Sequence, residues 1–301
     1  MEFIILLTQS VLPIFLILGM ANVYYRFFKP DIKQFVNLAL YVFAPFVIFH
    51  SLVKEQIGVG ELSKYLLLMV LVTATLMVIG FIGGKALRLS KNDATLFMLS
   101  VSMINIGNFG VPLIYFNYGE AAINTSILTF IAFNLPLVTI AIYICSEKST
   151  IMGGLKDVVK IPIFHASFIA LAVNSFNVPI PETVLKLSDF LGQATFPFLI
   201  FILGLQLATI KLNKEIARTA LASVFIRLGV SPFIAAGFLS LLAFKDLDYS
   251  VILVQISGPS ALLPLMYAVM FGRKSDLLAA AILLSTAISA ITLPIVIHFA
   301  G

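Results

Sequence analysis

Ten apolar runs recur along this chain, each close to the roughly 20 residues a helix needs to cross the hydrocarbon of a bilayer. They fall near 3–25, 35–53, 62–86, 94–117, 121–145, 161–178, 188–210, 216–243, 249–271 and 277–299, with only short polar stretches between them. In lipid every backbone N–H and C=O must be satisfied internally, which leaves helices or closed barrels. Runs of this length fit helices, so the expected fold is an all-α polytopic membrane protein of ten transmembrane helices. Composition agrees: the chain is 60% hydrophobic and 11% charged, against about 45–50% and 25% in a soluble domain. The first run, MEFIILLTQSVLPIFLILGM, has no positive leader and no small-residue cleavage site, and reads as a retained span rather than a signal peptide. With one cysteine, Cys145, an internal disulfide is excluded.

Charge sorts the loops into two sets. Alternate loops carry 14 basic residues: Arg26, Lys29 and Lys33, then Lys85, Arg88 and Lys91, then Lys148, Lys156 and Lys160, then Lys211, Lys214 and Arg218, then Arg273 and Lys274. The other loops carry four, Lys54, Lys64, Lys186 and Lys245. The richer set belongs in the cytoplasm, which puts both termini outside a cell membrane and demands an even number of spans. The net charge of +5 therefore reports orientation in a lipid bilayer, with no nucleic acid implied.

The chain also repeats itself. At an offset of 152, VPLIYFNYG (111–119) meets LPLMYAVMFG (263–272), APFVIF (44–49) meets FPFLIF (196–201), and Asn22 meets Asn174. Nearby offsets align LPIF (12–15) with IPIF (161–164), and LPLV (135–138) with LPIV (293–296). The expected organisation is a five-helix repeat over 1–145, a cytoplasmic linker over 146–160, and a second repeat over 161–301. An odd number of spans per repeat inverts the second half. Inverted repeats with interrupted helices at matching places point to a secondary transporter and its binding site.

The interruptions are legible in NIGNFGVPLIY (105–115) and QISGPSALLP (255–264). Proline removes an N–H and crowds the carbonyl four residues back, so helix 4 is expected to break near 108–112, after Gly107 and Gly110 and before Pro112. Helix 9 is expected to break at Gly258, Pro259 and Pro264. Freed backbone at membrane depth is tolerated where it is buried in protein or lines a polar cavity. The offset pairs Asn105 with Ser257 and Asn108 with Ser260, so polar side chains flank both breaks. The half-helices starting near Pro112 and Pro264 present free N–H groups and a positive dipole end, which suits a small organic anion such as a carboxylate. Carbonyl ends of the other halves suit a cation.

These blocks, with IPIFHASFIALAVNSFNVPIPETVLKLSDFLGQATFPFLIFILGLQLA and GPSALLPLMYAVMFGRKSDLLAAAILLSTAISAITLPIVI, resemble the auxin efflux carrier family over nearly the whole chain. The resemblance implies the fold of bile-acid sodium symporters: helices 1, 2, 6 and 7 as a scaffold, which is also where a homodimer would form, and helices 3–5 and 8–10 as a core moving elevator-fashion against it. Asn105 and Pro112 match the family's fourth-span crossover, and Pro259 and Pro264 its ninth-span crossover. The short middle loop is that of small prokaryotic members, which implies organic acids such as malate and malonate rather than auxin.

Other polar residues have two readings each. Asn134 precedes Pro136 and either bonds freed backbone or lines the site; with Gln255 it is a candidate polar or cation site. Arg227, the one basic residue inside a span, either attracts the anion or anchors structure. Asn22 and Asn174 read as interhelical hydrogen-bond formers, and Tyr115 and Tyr267 as interfacial aromatics or gates. No carboxylate lies well inside a span, which disfavours a carboxylate proton relay and leaves sodium, protons or neither as the coupling ion. No His-Glu-x-x-His, membrane aspartate pair or Gly-x-Ser-Gly is present, so neither an enzyme nor a metal or other cofactor is expected. An anion channel on the same fold is the rival reading.

Overall fold

The computed structural model describes residues 7–54, 59–145, 162–212 and 214–300, so the expected linker 146–160 lies outside the described residues. Regular structure among them is helical, apart from one isolated bridge between extended segments. In chain order the helices are α1 (7–28), α2 (Ile32–Lys54), α3 (Val59–Ala86), α4 (Lys91–Ser102), α5 (106–118), α6 (Ile123–Cys145), α7 (Pro162–Ser175), α8 (Glu182–Leu207), α9 (Lys214–Leu241), α10 (Asp246–Ile256), α11 (Leu263–Met270) and α12 (Asp276–Ala300). By length and apolarity α2, α3, α8, α9 and α12 each suffice to cross a membrane. The chain is an all-helical integral membrane protein.

Four prolines follow a local widening of the helix, whereas Pro197 and Pro294 sit inside α-helices without one. Five-residue wide turns occur at Leu7–Val11, Ala39–Phe43, Ile106–Gly110 and Ile226–Val230. Each ends two residues before a proline: Pro13, Pro45, Pro112 or Pro232. A proline has no N–H for the carbonyl four residues back and its ring pushes that carbonyl away. The backbone responds by reaching back five residues instead of four, a π-bulge. Thus the Gly110 N–H donates to the Asn105 carbonyl at 3.0 Å, and the Ser231 N–H to the Ile226 carbonyl. Helix starts in the basic loops are capped: Asp31 accepts from the Lys33 N–H at 3.0 Å, and Ser90 from the Asp93 N–H at 3.1 Å, satisfying donors the first turn leaves free.

The break expected at 108–112 falls earlier, between α4 and α5. The extended segment is 103–105, not 108–112. Gly107 and Gly110 lie within the wide turn, and Pro112 follows it as the second residue of the α-helical part of α5. The ring clash is absorbed by the π-bulge, and the helix comes apart only ahead of it. The second interruption, 257–262, falls where expected, and Pro264 likewise stands second in α11.

Packing divides the helices into two sets. One joins α1, α2, α7 and α8; the other joins α3–α6 with α9–α12. Small residues permit the close approaches. A Cβ on Gly204 would lie 2.6 Å from Ala21 Cβ and 2.8 Å from the Leu18 carbonyl, so α8 meets α1 backbone to backbone. A Cβ on Gly80 would lie 2.9 Å from Met98 Cα, which locks α3 to α4 in the same manner. Asn174 donates to the Leu52 carbonyl at 2.8 Å, the interhelical bond expected of it.

Candidate functional site

The two interruptions meet. Segment 103–105 and segment 259–261 run antiparallel: the Asn105 N–H donates to the Pro259 carbonyl at 2.9 Å and the Ala261 N–H to the Met103 carbonyl at 2.8 Å. These two bonds form the bridge between Ile104 and Ser260. Backbone groups that leave a helix at membrane depth must find partners, each unsatisfied one costing several kcal/mol (about 2–7). Here each broken strand satisfies the other. Ser260 adds to the tie, its hydroxyl donating to the Ser100 carbonyl at 2.6 Å and its N–H to Ser285 Oγ at 3.1 Å.

Beside the crossing lies a cavity of about 100 Å³, several times the 10–15 Å³ or so that one water occupies on this measure. The N-terminal part of α5 opens onto it through Gly107, Asn108 and Val111, and the start of α11 through Leu263 and the preceding Leu262. From the other packing set, α8 contributes Thr195, Phe196 and Gln206, and α2 contributes Ala44 and Val47. Phe130, Phe133 and Asn134 of α6 complete the apolar wall. The lining has no charged side chain. Two of its buried polar atoms, Asn105 Nδ2 and Gln206 Oε1, have no hydrogen-bond partner. One is a donor and one an acceptor.

Of the residues singled out in the sequence, Asn105, Asn108 and Asn134 line this cavity. Asn134 also donates to the Phe130 carbonyl one turn back, at 2.8 Å. Pro259 takes part through its carbonyl. Gly110 lies instead against Gln255, whose Cγ would be 3.5 Å from an added Cβ. Gln255 is fully buried and donates to Ser126 Oγ at 2.7 Å. Ser257 bonds back to the Leu253 carbonyl at 2.6 Å. Pro112 and Pro264 set the helix starts without lining the cavity. Of the two candidate polar or cation-site residues, Asn134 faces the cavity and Gln255 does not line it. For Arg227 the sequence leaves anion attraction and structural anchoring open. It does not line the cavity, and its guanidinium is committed to backbone carbonyls behind the crossing.

A family model described as membrane transport protein matches the chain over residues 6–153 and again over 147–297. The chain belongs to this family, the auxin efflux carriers. Two relatives share its length. An uncharacterized transporter of Methanocaldococcus jannaschii is 25% identical over 297 residues, 94% of this chain and 96% of that protein. An uncharacterized transporter of Methanothermobacter thermautotrophicus is 26% identical over 276 residues, 89% of this chain and 88% of that one.

Other features adjoin this cavity. A second, more polar cavity of about 350 Å³ is lined by His50, Lys54, Glu120, Asn124 and Asp189. His50 lies 3.5 Å from Asp189 and 3.2 Å from Ser188 Oγ. Phe196 and Val47 line both cavities. Tyr115 stacks on Phe196, with ring centroids 5.5 Å apart and planes at 22°. Since Tyr115 sits on α5 and Phe196 on α8, this contact joins the two packing sets. Thr195 and Gln206 carried a signal, being polar residues inside a long apolar run, but nothing in sequence put them opposite Asn105.

Proposed function

We propose that this auxin efflux carrier family member is a secondary carrier of small organic anions, binding them in the cavity beside the crossing of 103–105 and 259–261. One observation carries the reading. The cavity contains a buried, unpartnered amide donor, Asn105 Nδ2, between the first turns of two helices, and no carboxylate lines it. Helix N-termini favour an anion by about 0.3–1 kcal/mol each, and up to about 2 in partly buried geometry. The amide supplies a directed hydrogen bond, and the phenyl rings of Phe130 and Phe133 suit an apolar substrate body.

In this reading α4 with α5, and α10 with α11, are each one interrupted span. Ten spans in two inverted repeats follow, with both termini on the outer face of the cell membrane. The helices α1, α2, α7 and α8 act as scaffold, and the remainder as a core that slides against it. The division of packing contacts and the apolar surface shared across the cavity support such motion. No step needs a catalytic group.

The test is thermal stabilisation of purified protein across dicarboxylates, monocarboxylates and aromatic acids, with sodium or choline as the cation. A ligand at 100 times its Kd adds about 2.7 kcal/mol to apparent stability. At least one acid is expected to raise the midpoint while the matching neutral amide does not. Stabilisation by neutral analogues alone would overturn the anion reading.

A further inference from the structure

Among the described residues Arg227 is the largest fully buried side chain. It stands in the wide turn of α9, and no carboxylate pairs with it among the described residues. Its Nη1 donates to the Val101 carbonyl at 3.0 Å, and its Nη2 donates to the Ile256 carbonyl and to Ser231 Oγ, the latter at 2.6 Å. The two carbonyls have a common position. Val101 lies in the last turn of α4, and Ile256 is the last residue of α10. These are the carbonyl ends of both interrupted helices.

The hydrogen-bond ledger explains why those ends are vacant. In an unbroken helix Val101 would accept from the N–H of residue 105, but that N–H goes to Pro259. Ile256 would accept from the N–H of residue 260, but that N–H goes to Ser285. The bridge thus takes the donor from the α4 end, and the Ser285 hydroxyl takes the donor from the α10 end. Each end also carries the negative pole of a helix dipole. In carriers with discontinuous helices, such carbonyl ends are where a coupling cation is coordinated. Here a guanidinium, with rigid forked donors, occupies both at once.

We propose that Arg227 is a built-in cation of this carrier. It neutralises the carbonyl ends of α4 and α10 so that the crossing is complete without bound sodium, and its fixed positive charge behind the cavity biases the site toward anions. The second part rests on the transport-site reading above; the first does not. Arg227 is a positioning residue, for it touches the backbone that shapes the site and not the cavity itself. A positive charge needs counter-charge at this depth, and two helix dipoles with their free carbonyls supply it in place of a carboxylate.

The experiment uses the full-length purified protein and reads the thermal midpoint in sodium, choline and low guanidinium chloride at equal ionic strength. Wild type is expected to show the same midpoint in sodium and choline. Arg227→Ala should melt several degrees lower, and millimolar guanidinium or sodium should restore part of that loss where choline does not. Arg227→Lys, which keeps the charge, should lie nearer wild type than Arg227→Met, which keeps the length. A wild-type midpoint that rises in sodium over choline would overturn the proposal, and this holds even if no variant folds. So would Arg227→Met matching wild type in stability. Absence of any acid-induced shift, with the cation results as expected, would count against the anion reading alone.

Discussion

Asn105 is where stability and binding should move in opposite directions. The residue is 6% exposed and its Nδ2 has no partner. A buried donor left unsatisfied costs about 1–3 kcal/mol. Replacing it by leucine, similar in size and without the donor, removes that cost, so unliganded Asn105→Leu should be no less stable than wild type and up to about 1 kcal/mol more so. A carboxylate accepting from the amide regains about 1.5–3 kcal/mol, the range for a hydrogen bond to a charged group. At 1.4 kcal/mol per tenfold, the variant should bind the stabilising acid about 10- to 150-fold more weakly. Both quantities come from denaturation curves of the purified carrier with and without the acid. Asn174→Leu is the control. Its amide already donates to Leu52 across a helix interface, and such bonds average about 0.6 kcal/mol in membranes, so it should lose a little stability and keep its affinity. If Asn105→Leu loses stability and keeps its affinity, Asn105 is a structural residue and the site lies elsewhere.

Gly204→Ala should destabilise by about 1–3 kcal/mol, as overpacking does, because the new Cβ would meet Ala21 and the Leu18 carbonyl within 3 Å; an unchanged unfolding midpoint would show that α1 and α8 are not in close contact. Tyr115→Ala removes the stack on Phe196 and should speed labelling of an Asn108→Cys reporter by a membrane-impermeant thiol reagent added from the His50 side, whereas an unchanged rate would show that the stack is no barrier. Cys145 is 1% exposed and should resist maleimide until the protein is denatured, so labelling of the native protein would contradict its placement. For transport itself, Asn105→Ala should impair uptake more than Asn22→Ala at equal expression.

Helix identity and approximate extent were legible because lipid leaves the backbone few alternatives, and apolar run length is measured directly in the sequence. The wide turns each stand two residues before a proline, but Pro197 and Pro294 lie in helices without one, so proline alone does not locate them. The first interruption was misplaced because the wide turn 106–110 accommodates Pro112 without ending the helix, and the chain is extended upstream at 103–105. The repeat offset made Asn105 equivalent to Ser257 and Asn108 to Ser260, yet the contacts follow another register, Ile104 opposite Ser260. Antiparallel backbone pairing sets that register, and side-chain equivalence has no part in it. The two halves share a backbone device more than a chemistry: Asn108 lines the cavity, while Ser260 is spent on Ser100. Arg227 was visible as an anomaly, but its partners are main-chain carbonyls 126 and 29 residues away, and a carbonyl has no sequence signature. The same holds for Thr195 and Gln206, whose significance comes from lying across the cavity from Asn105.

The central claim is alternating access at the crossing, and solute counterflow in proteoliposomes tests it most directly. Vesicles loaded with the acid that stabilises the purified protein are diluted into a trace of its labelled form, for wild type and for Asn105→Leu. Wild type should accumulate label transiently above equilibrium and saturate with concentration, and Asn105→Leu should not at the same concentration. Conductance through wild type with no counterflow would contradict the account and make the protein a channel.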